Sequence, residues 1–91
     1  MKFLHTIDEG KNRLIRLDEI DTIEPILCIP STHKCVVVKT KDHEYINLVD
    51  VREGMEPRIY INELFKLIAK APDMSIIRTC NENGDWEMYI E

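Results

Sequence analysis

The stretch KCVVVKTKDHEYINLV, residues 34–49, predicts the centre of the fold. It contains two runs rich in β-branched and aromatic residues, separated by Asp42 and His43, and such runs favour β-strands. If these two residues form the loop, Lys41 lies opposite Glu44 as an oppositely charged cross-strand pair. Both faces of this hairpin then carry apolar side chains, so we expect it to be covered, at least in part, on both sides.

Toward the N-terminus the sequence predicts three more strands. Runs at 2–7 and 13–17 flank the segment 8–12, whose glycine and asparagine tolerate the positive φ angles of a turn, so these runs predict a first hairpin. The acidic segment that follows could form one helical turn, but Pro25 prevents a longer helix because it removes a backbone donor. We therefore expect a strand at 22–29.

On the C-terminal side the sequence predicts one amphipathic helix over 62–71. Asn62 is a favoured N-cap residue, and Pro72 stops the helix. At 100° per residue, six apolar residues share one broad face. They are Ile61, Leu64, Phe65, Leu67, Ile68 and Ala71. We expect this face to pack on a sheet.

The last segment predicts a hairpin of strands 74–81 and 86–91. Asn83-Gly84 lies between them, and this dipeptide accepts the two positive φ angles of a type I′ turn. The whole chain of 91 residues is short enough to form one domain, 1–91. The predicted class is α+β: about six or seven short, mainly antiparallel strands in one curved sheet or small open barrel, with the single helix packed across it.

Composition and charge exclude some classes of function. The formal net charge of −5 argues against a generic binder of the phosphate backbone. A nucleic-acid-binding regulator is kept as an alternative that would use a local basic patch. Its candidates are Lys11, Arg13, Arg16, Lys34, Lys39 and Lys41. No apolar run reaches the ~18 residues of a membrane span, so we expect a cytoplasmic location and no membrane partner.

The segment CIPSTHKC, residues 28–35, is the one stretch whose residue types suggest chemistry. Cys28, His33 and Cys35 are three ligands of the kind that zinc prefers, but zinc needs four and the usual Cys-x2-Cys spacing is missing. Cys35 with His33 as its base could form a nucleophilic pair, yet no turn nearby predicts an oxyanion site. We therefore expect no metal, no cofactor and no enzymatic activity, and we keep a small metal or thiol site at Cys28, His33 and Cys35 as the less favoured alternative. The three cysteines, with Cys80 as the third, are expected to be reduced thiols.

Aromatic residues supply the candidates for an interaction surface. Tyr60, Trp86 and Tyr89 are singled out because aromatic side chains are enriched at the centres of interfaces. With no coherent catalytic set, the sequence predicts a non-enzymatic protein-interaction or regulatory module that binds a protein partner or forms a homodimer. The terminal hairpin is the predicted contact, since a strand at a sheet edge leaves backbone groups unpaired.

Overall fold

The computed structural model describes residues 1–27 and 33–91. Within these residues the chain forms seven β-strands, a 3-10 turn at Leu17–Glu19 and one α-helix. The strands are β1 (Phe3–Asp8), β2 (Lys11–Arg16), β3 (Ile20–Leu27), β4 (Lys34–Thr40), β5 (Tyr45–Val51), β6 (Ile76–Cys80) and β7 (Trp86–Ile90), and the helix is α1 (Pro57–Lys70). No helix in this described part of the chain is long and apolar enough to cross a membrane.

The strands lie in two open sheets. Sheet A has the order β2-β1-β6-β7, and sheet B has the order β3-β4-β5. Neighbouring strands are antiparallel except β1 and β6, which run parallel with Phe3 aligned to Ile76. The predicted α+β class, with mainly antiparallel strands and a C-terminal hairpin, is confirmed. The strands form two sheets instead of one because the consecutive strands β2 and β3 do not pair with each other, and each lies at the edge of its own sheet.

The central hairpin is present, but its loop is longer than predicted. The loop has four residues instead of two. It is closed by a hydrogen bond from the N–H of Thr40, the last residue of β4, to the carbonyl of Glu44. His43 adopts a φ of 66°, which this wider loop requires. A β-bulge between Val36 and Val37 changes the pairing register of β4 with β5 by one residue. The predicted register holds before the bulge, up to Val36, and is shifted by one residue from Val37 to the loop.

The terminal hairpin also has a longer loop than the predicted two-residue turn. The side-chain Oδ1 of Asn81 accepts hydrogen bonds from the N–H groups of Asn83 and Asp85, at 2.9 and 3.0 Å. This side chain organises the whole segment between β6 and β7 as an Asx-type loop. Gly84 has a φ of 80°, the left-handed conformation that the sequence assigned to it.

Helix α1 begins at Pro57, five residues before the predicted start at Asn62. Proline suits the first helical position because its N–H would have no partner there and its φ is already helical. The helix ends at Lys70, and the N–H of Ala71 still bonds back to the last turn. Pro72 prevents a further turn, as the sequence predicted.

The buried face of α1 differs from the predicted one. Tyr60 and Leu64 are completely buried and form the contact with the sheets. Phe65, which the helical periodicity placed on the packed face, is 51% exposed. It lies at the border of that face, where α1 passes β3. The prediction of a deeply buried Phe65 is wrong.

The core lies between the two sheets and α1, because the helix contacts strands of both sheets. Its largest fully buried apolar side chains come from β1, β4, β5, β6 and α1. They are Leu4, Val36, Val38, Leu48, Val49, Tyr60, Leu64 and Ile77. The prediction that the central hairpin is covered on both faces holds for β4, where the consecutive residues Cys35, Val36, Val37 and Val38 are all buried.

Two buried threonines join the sheets. Thr6 Oγ1 lies 3.0 and 3.2 Å from the carbonyl oxygens of Asn47 and Leu48, and Thr79 Oγ1 lies 3.1 and 3.3 Å from those of His5 and Leu48. β5 is an edge strand of sheet B, and a buried carbonyl needs a donor. The hydroxyl groups of sheet A supply donors that a neighbouring strand would otherwise supply.

Replacing the Thr79 hydroxyl tests this connection. Thr79→Val keeps the side-chain shape but removes the donor, and we expect the free energy of unfolding to fall by about 1–3 kcal/mol because the carbonyl of His5 loses this hydroxyl, whereas that of Leu48 retains the hydroxyl of Thr6. Thr79→Ser retains the hydroxyl and is the matched control. Urea denaturation of both variants provides the measurement. A larger loss in the serine variant would show that the methyl group, and not the hydrogen bond, stabilises this contact.

Candidate functional site

Three potential metal-ligating side chains meet at one end of sheet B. His33 Nε2 lies 3.9 Å from Asp50 Oδ1, and Cys35 Sγ lies 3.4 Å from the same oxygen. The three ligand atoms are all within 4.8 Å of one another. Of the sequence-predicted candidates, the structure thus brings His33 and Cys35 together, while Cys28 lies outside the described residues.

The strand pairing explains this convergence. His33 directly precedes β4 and Cys35 is its second residue, so the two project from one face of the strand. Asp50 on β5 is the cross-strand partner of Cys35. Sequence reasoning missed Asp50, although the predicted register, with Lys41 opposite Glu44, already places it opposite Cys35.

Hydrogen bonds fix both the side chain and the backbone of Asp50. Asn47 Nδ2 donates to Asp50 Oδ1 at 3.0 Å, and the Asp50 N–H donates to the carbonyl of Gly84 at 2.7 Å. The Cys35 sulfur is disulfide-bonded in this structure, so the expectation of a reduced thiol is wrong for this residue. For Cys80, which is free and buried, the expectation is confirmed.

A polar cleft of about 420 Å³ opens beside these three side chains. Carboxylates from two strands and two loops line it: Asp8, Glu9, Asp50 and Glu82. Burial, followed by the nearby Glu9 carboxylate, raises the pKa of Asp8 above its ordinary value, and Arg13 partly opposes this effect. The cleft is therefore a region of negative potential.

An apolar groove runs between β3 and α1 on another part of the surface. One cleft of about 310 Å³ lies where the start of β3 passes the end of α1 and is lined by Leu17, Ile20, Asp21, Thr22, Ile23, Phe65 and Ile68. A second of about 450 Å³ lies where the end of β3 passes the start of α1 and is lined by Pro25, Ile26, Leu27, Lys34, Glu56, Pro57 and Arg58. We call the two clefts together the β3–α1 seam. Its exposed large apolar side chains are Ile26, Leu27 and Phe65.

The aromatic interaction candidates fall into different environments. Tyr60 is fully buried, and its hydroxyl donates to the carbonyl of Thr79 at 2.7 Å, so its assignment to a surface is wrong. Trp86 is partly buried and stands edge-on to Tyr60, with ring centroids 5.3 Å apart. Tyr89 is 45% exposed on β7 and is the candidate available for a contact.

The basic candidates of β2 are paired with acidic groups. Arg13 contacts Glu44 at 2.6 Å, and Arg16 contacts Asp18 at 3.1 Å. Paired charges produce little field at a distance, so these two arginines do not add to a basic surface for nucleic acid.

No protein-family model, curated protein or solved structure matches this chain.

Proposed function

We propose that this chain is a non-enzymatic protein-interaction module that forms a symmetric homodimer through the β3–α1 seam. The observation that carries the proposal is the half-exposed Phe65 beside the apolar side chains of β3. An aromatic ring at the edge of an apolar cleft is the kind of residue that contributes most to an interface when a partner removes it from water.

The seam is complementary to itself. The first cleft has Asp21 as its only charged lining residue, whereas the second has Lys34, Arg58 and Glu56. A two-fold axis across the seam would place the acidic end of one copy against the basic end of the other. Such opposite potentials favour this docking over a parallel one.

Side-chain packing supports the dimer better than continuation of a sheet. β3 is an edge strand, but it contains Pro25, which lacks an N–H, and it carries the exposed charge of Asp21 and the partly buried charge of Glu24. Proline and charged residues on an edge oppose pairing with another strand. The terminal hairpin is disfavoured as a pairing edge for the same reason, because its strand β7 carries the charged residue Glu87. The seam replaces that hairpin as the proposed contact.

Phe65→Glu tests the proposal directly. We expect it to weaken dimerisation at least about thirtyfold, because it removes an anchor worth about 2 kcal/mol and buries a charge. Tyr89→Glu is the matched control on β7, and we expect it to leave the dimerisation constant unchanged. Sedimentation equilibrium across a concentration series measures both. A wild-type chain that stays monomeric at high micromolar concentration contradicts the dimer, and a dimer lost only in Tyr89→Glu places the contact on β7.

Two further parts of the proposal rest on the sequence. The chain is proposed to act in the cytoplasm, which fractionation of cells that produce it would check. The alternative function is nucleic-acid binding, and it requires the remaining lysines to form the contact. Retention on immobilised DNA or RNA at physiological salt would favour that alternative over the dimer module.

A further inference from the structure

The polar cleft supports a second inference, which does not depend on the proposed dimer. We infer that the reduced protein binds one divalent transition metal ion of the zinc type through His33, Cys35 and Asp50, and that the disulfide at Cys35 prevents this binding. The site is thus a metal site controlled by whether the Cys35 sulfur is a thiol or part of a disulfide. It reverses the expectation, drawn from sequence spacing alone, that the chain holds no metal.

The distances fit such an ion. Zinc bonds of about 2.0–2.3 Å in a tetrahedral arrangement separate the ligand atoms by about 3.3–3.6 Å. The Asp50 oxygen lies 3.4 Å from the Cys35 sulfur and 3.9 Å from His33 Nε2. All three ligand atoms lie within 4.8 Å of one another, so side-chain rotations would have to bring the more distant pairs closer for bonding. The His33 side chain is 45% exposed and is able to make such an adjustment.

The ligand types indicate the class of metal. A thiolate, an imidazole and a carboxylate together suit zinc and its neighbours, whereas calcium and magnesium prefer oxygen ligands alone. Three protein ligands leave a fourth position for water, which the adjoining cleft has room to supply.

The surroundings of the ligands also favour a cation. Asn47 donates to the ligating oxygen of Asp50 and so fixes the carboxylate, as the hydrogen-bonded neighbours of metal ligands commonly do. The Oδ1 atom of Asn47 is buried in the cleft wall and accepts no hydrogen bond from the described residues. Carboxylates of Asp8, Glu9 and Glu82 line the same cleft and raise the local concentration of cations.

The redox step follows from the chemistry of the sulfur. A disulfide sulfur carries no negative charge and is a poor ligand, whereas a thiolate is a strong one. A dithiol reductant donates two electrons and two protons to the disulfide, which yields two thiols while the reductant forms its own disulfide. The Cys35 thiol then releases its proton on binding the ion. Metal binding and disulfide formation therefore exclude each other.

Cobalt and zinc titrations of the intact chain test the inference. Protein reduced with a trialkylphosphine, which does not contribute a thiol of its own, should bind one Co²⁺ with a sulfur-to-cobalt charge-transfer band, and Zn²⁺ should displace it. The oxidised protein should show no such band. Equal binding by both forms, or no stoichiometric binding by the folded, reduced form, overturns the inference.

Variants assign the ligands. His33→Asn and Asp50→Asn should each weaken zinc binding by at least about 10- to 100-fold, the range that loss of a hydrogen-bonded neighbour of a metal ligand already produces. His43→Asn is the control, because His43 lies in the distant β4–β5 loop and asparagine tolerates its positive φ. Circular dichroism confirms that each variant is folded. Wild-type affinity in either site variant contradicts the proposed ligand set.

Discussion

Leu64→Ala is expected to lower the free energy of unfolding by about 2–5 kcal/mol, the range measured when a fully buried leucine is truncated. Leu64 is completely buried where α1 meets the sheets. The neighbouring change Phe65→Ala should cost about 1 kcal/mol, because half of that ring already contacts water. Chemical denaturation at low protein concentration, where the proposed dimer dissociates, measures both values.

Leu64 and Phe65 are neighbours for which the structure and the sequence pattern predict different losses of stability. Helical periodicity places both residues on one apolar face and predicts similar losses. The structure makes one a core residue and the other a surface residue. Equal losses at the two positions would show that α1 is rotated about its axis relative to the arrangement described above.

A second large effect is expected at alkaline pH, from Tyr60. Burial, with a further contribution from the nearby Cys80, raises the pKa of Tyr60 well above its ordinary value. Above about pH 10 the unfolded chain loses the phenolic proton while the folded chain keeps it. The unfolded state then binds fewer protons, so stability falls as pH rises, by about 1.4 kcal/mol per pH unit for this one group.

Tyr60→Phe should remove this part of the pH dependence. At neutral pH the variant loses the hydrogen bond to Thr79 and about 0.5–1.5 kcal/mol of stability. Between pH 10 and 12 the difference from wild type should shrink and then change sign. Tyr45→Phe, at an exposed position, is the control for other titrating groups. A difference between Tyr60→Phe and wild type that stays constant with pH would contradict the explanation.

Local signals in the sequence correctly predicted that the hairpins and the helix exist, but they predicted the first and last residues of these elements less well. β-branched runs located β4 and β5, and Pro72 located the end of α1. The start of α1 was missed because Asn62 resembles an N-cap, although Pro57 is the better first residue. The hairpin loops were predicted too short because Asn81 and His43 stabilise wider loops through contacts and φ angles that residue type alone does not specify.

Long-range arrangement accounts for what sequence reasoning did not predict. The parallel pairing of β1 with β6 joins strands that lie far apart in the chain, and no local pattern encodes it. The same limit applies to the candidate site. His33 and Cys35 were identified from their residue types, but Asp50 becomes relevant only through its strand pairing with Cys35. Tyr60 was selected as an interface candidate because it is aromatic, and residue type alone does not show that its ring is buried in the core.

The parallel pairing of β1 with β6 also constrains how the chain reaches its native state. Sheet B comes from one continuous segment, so its contacts are local and close early. Sheet A requires Phe3 to find Ile76, and closing so long a loop has a large entropic cost before any contact compensates for it. We therefore expect the β3-β4-β5 segment to form the folding nucleus, with β1 docking last against β6. A strand that docks last is also expected to detach first when the protein unfolds. Detachment of β1 would therefore be the step that first exposes the core.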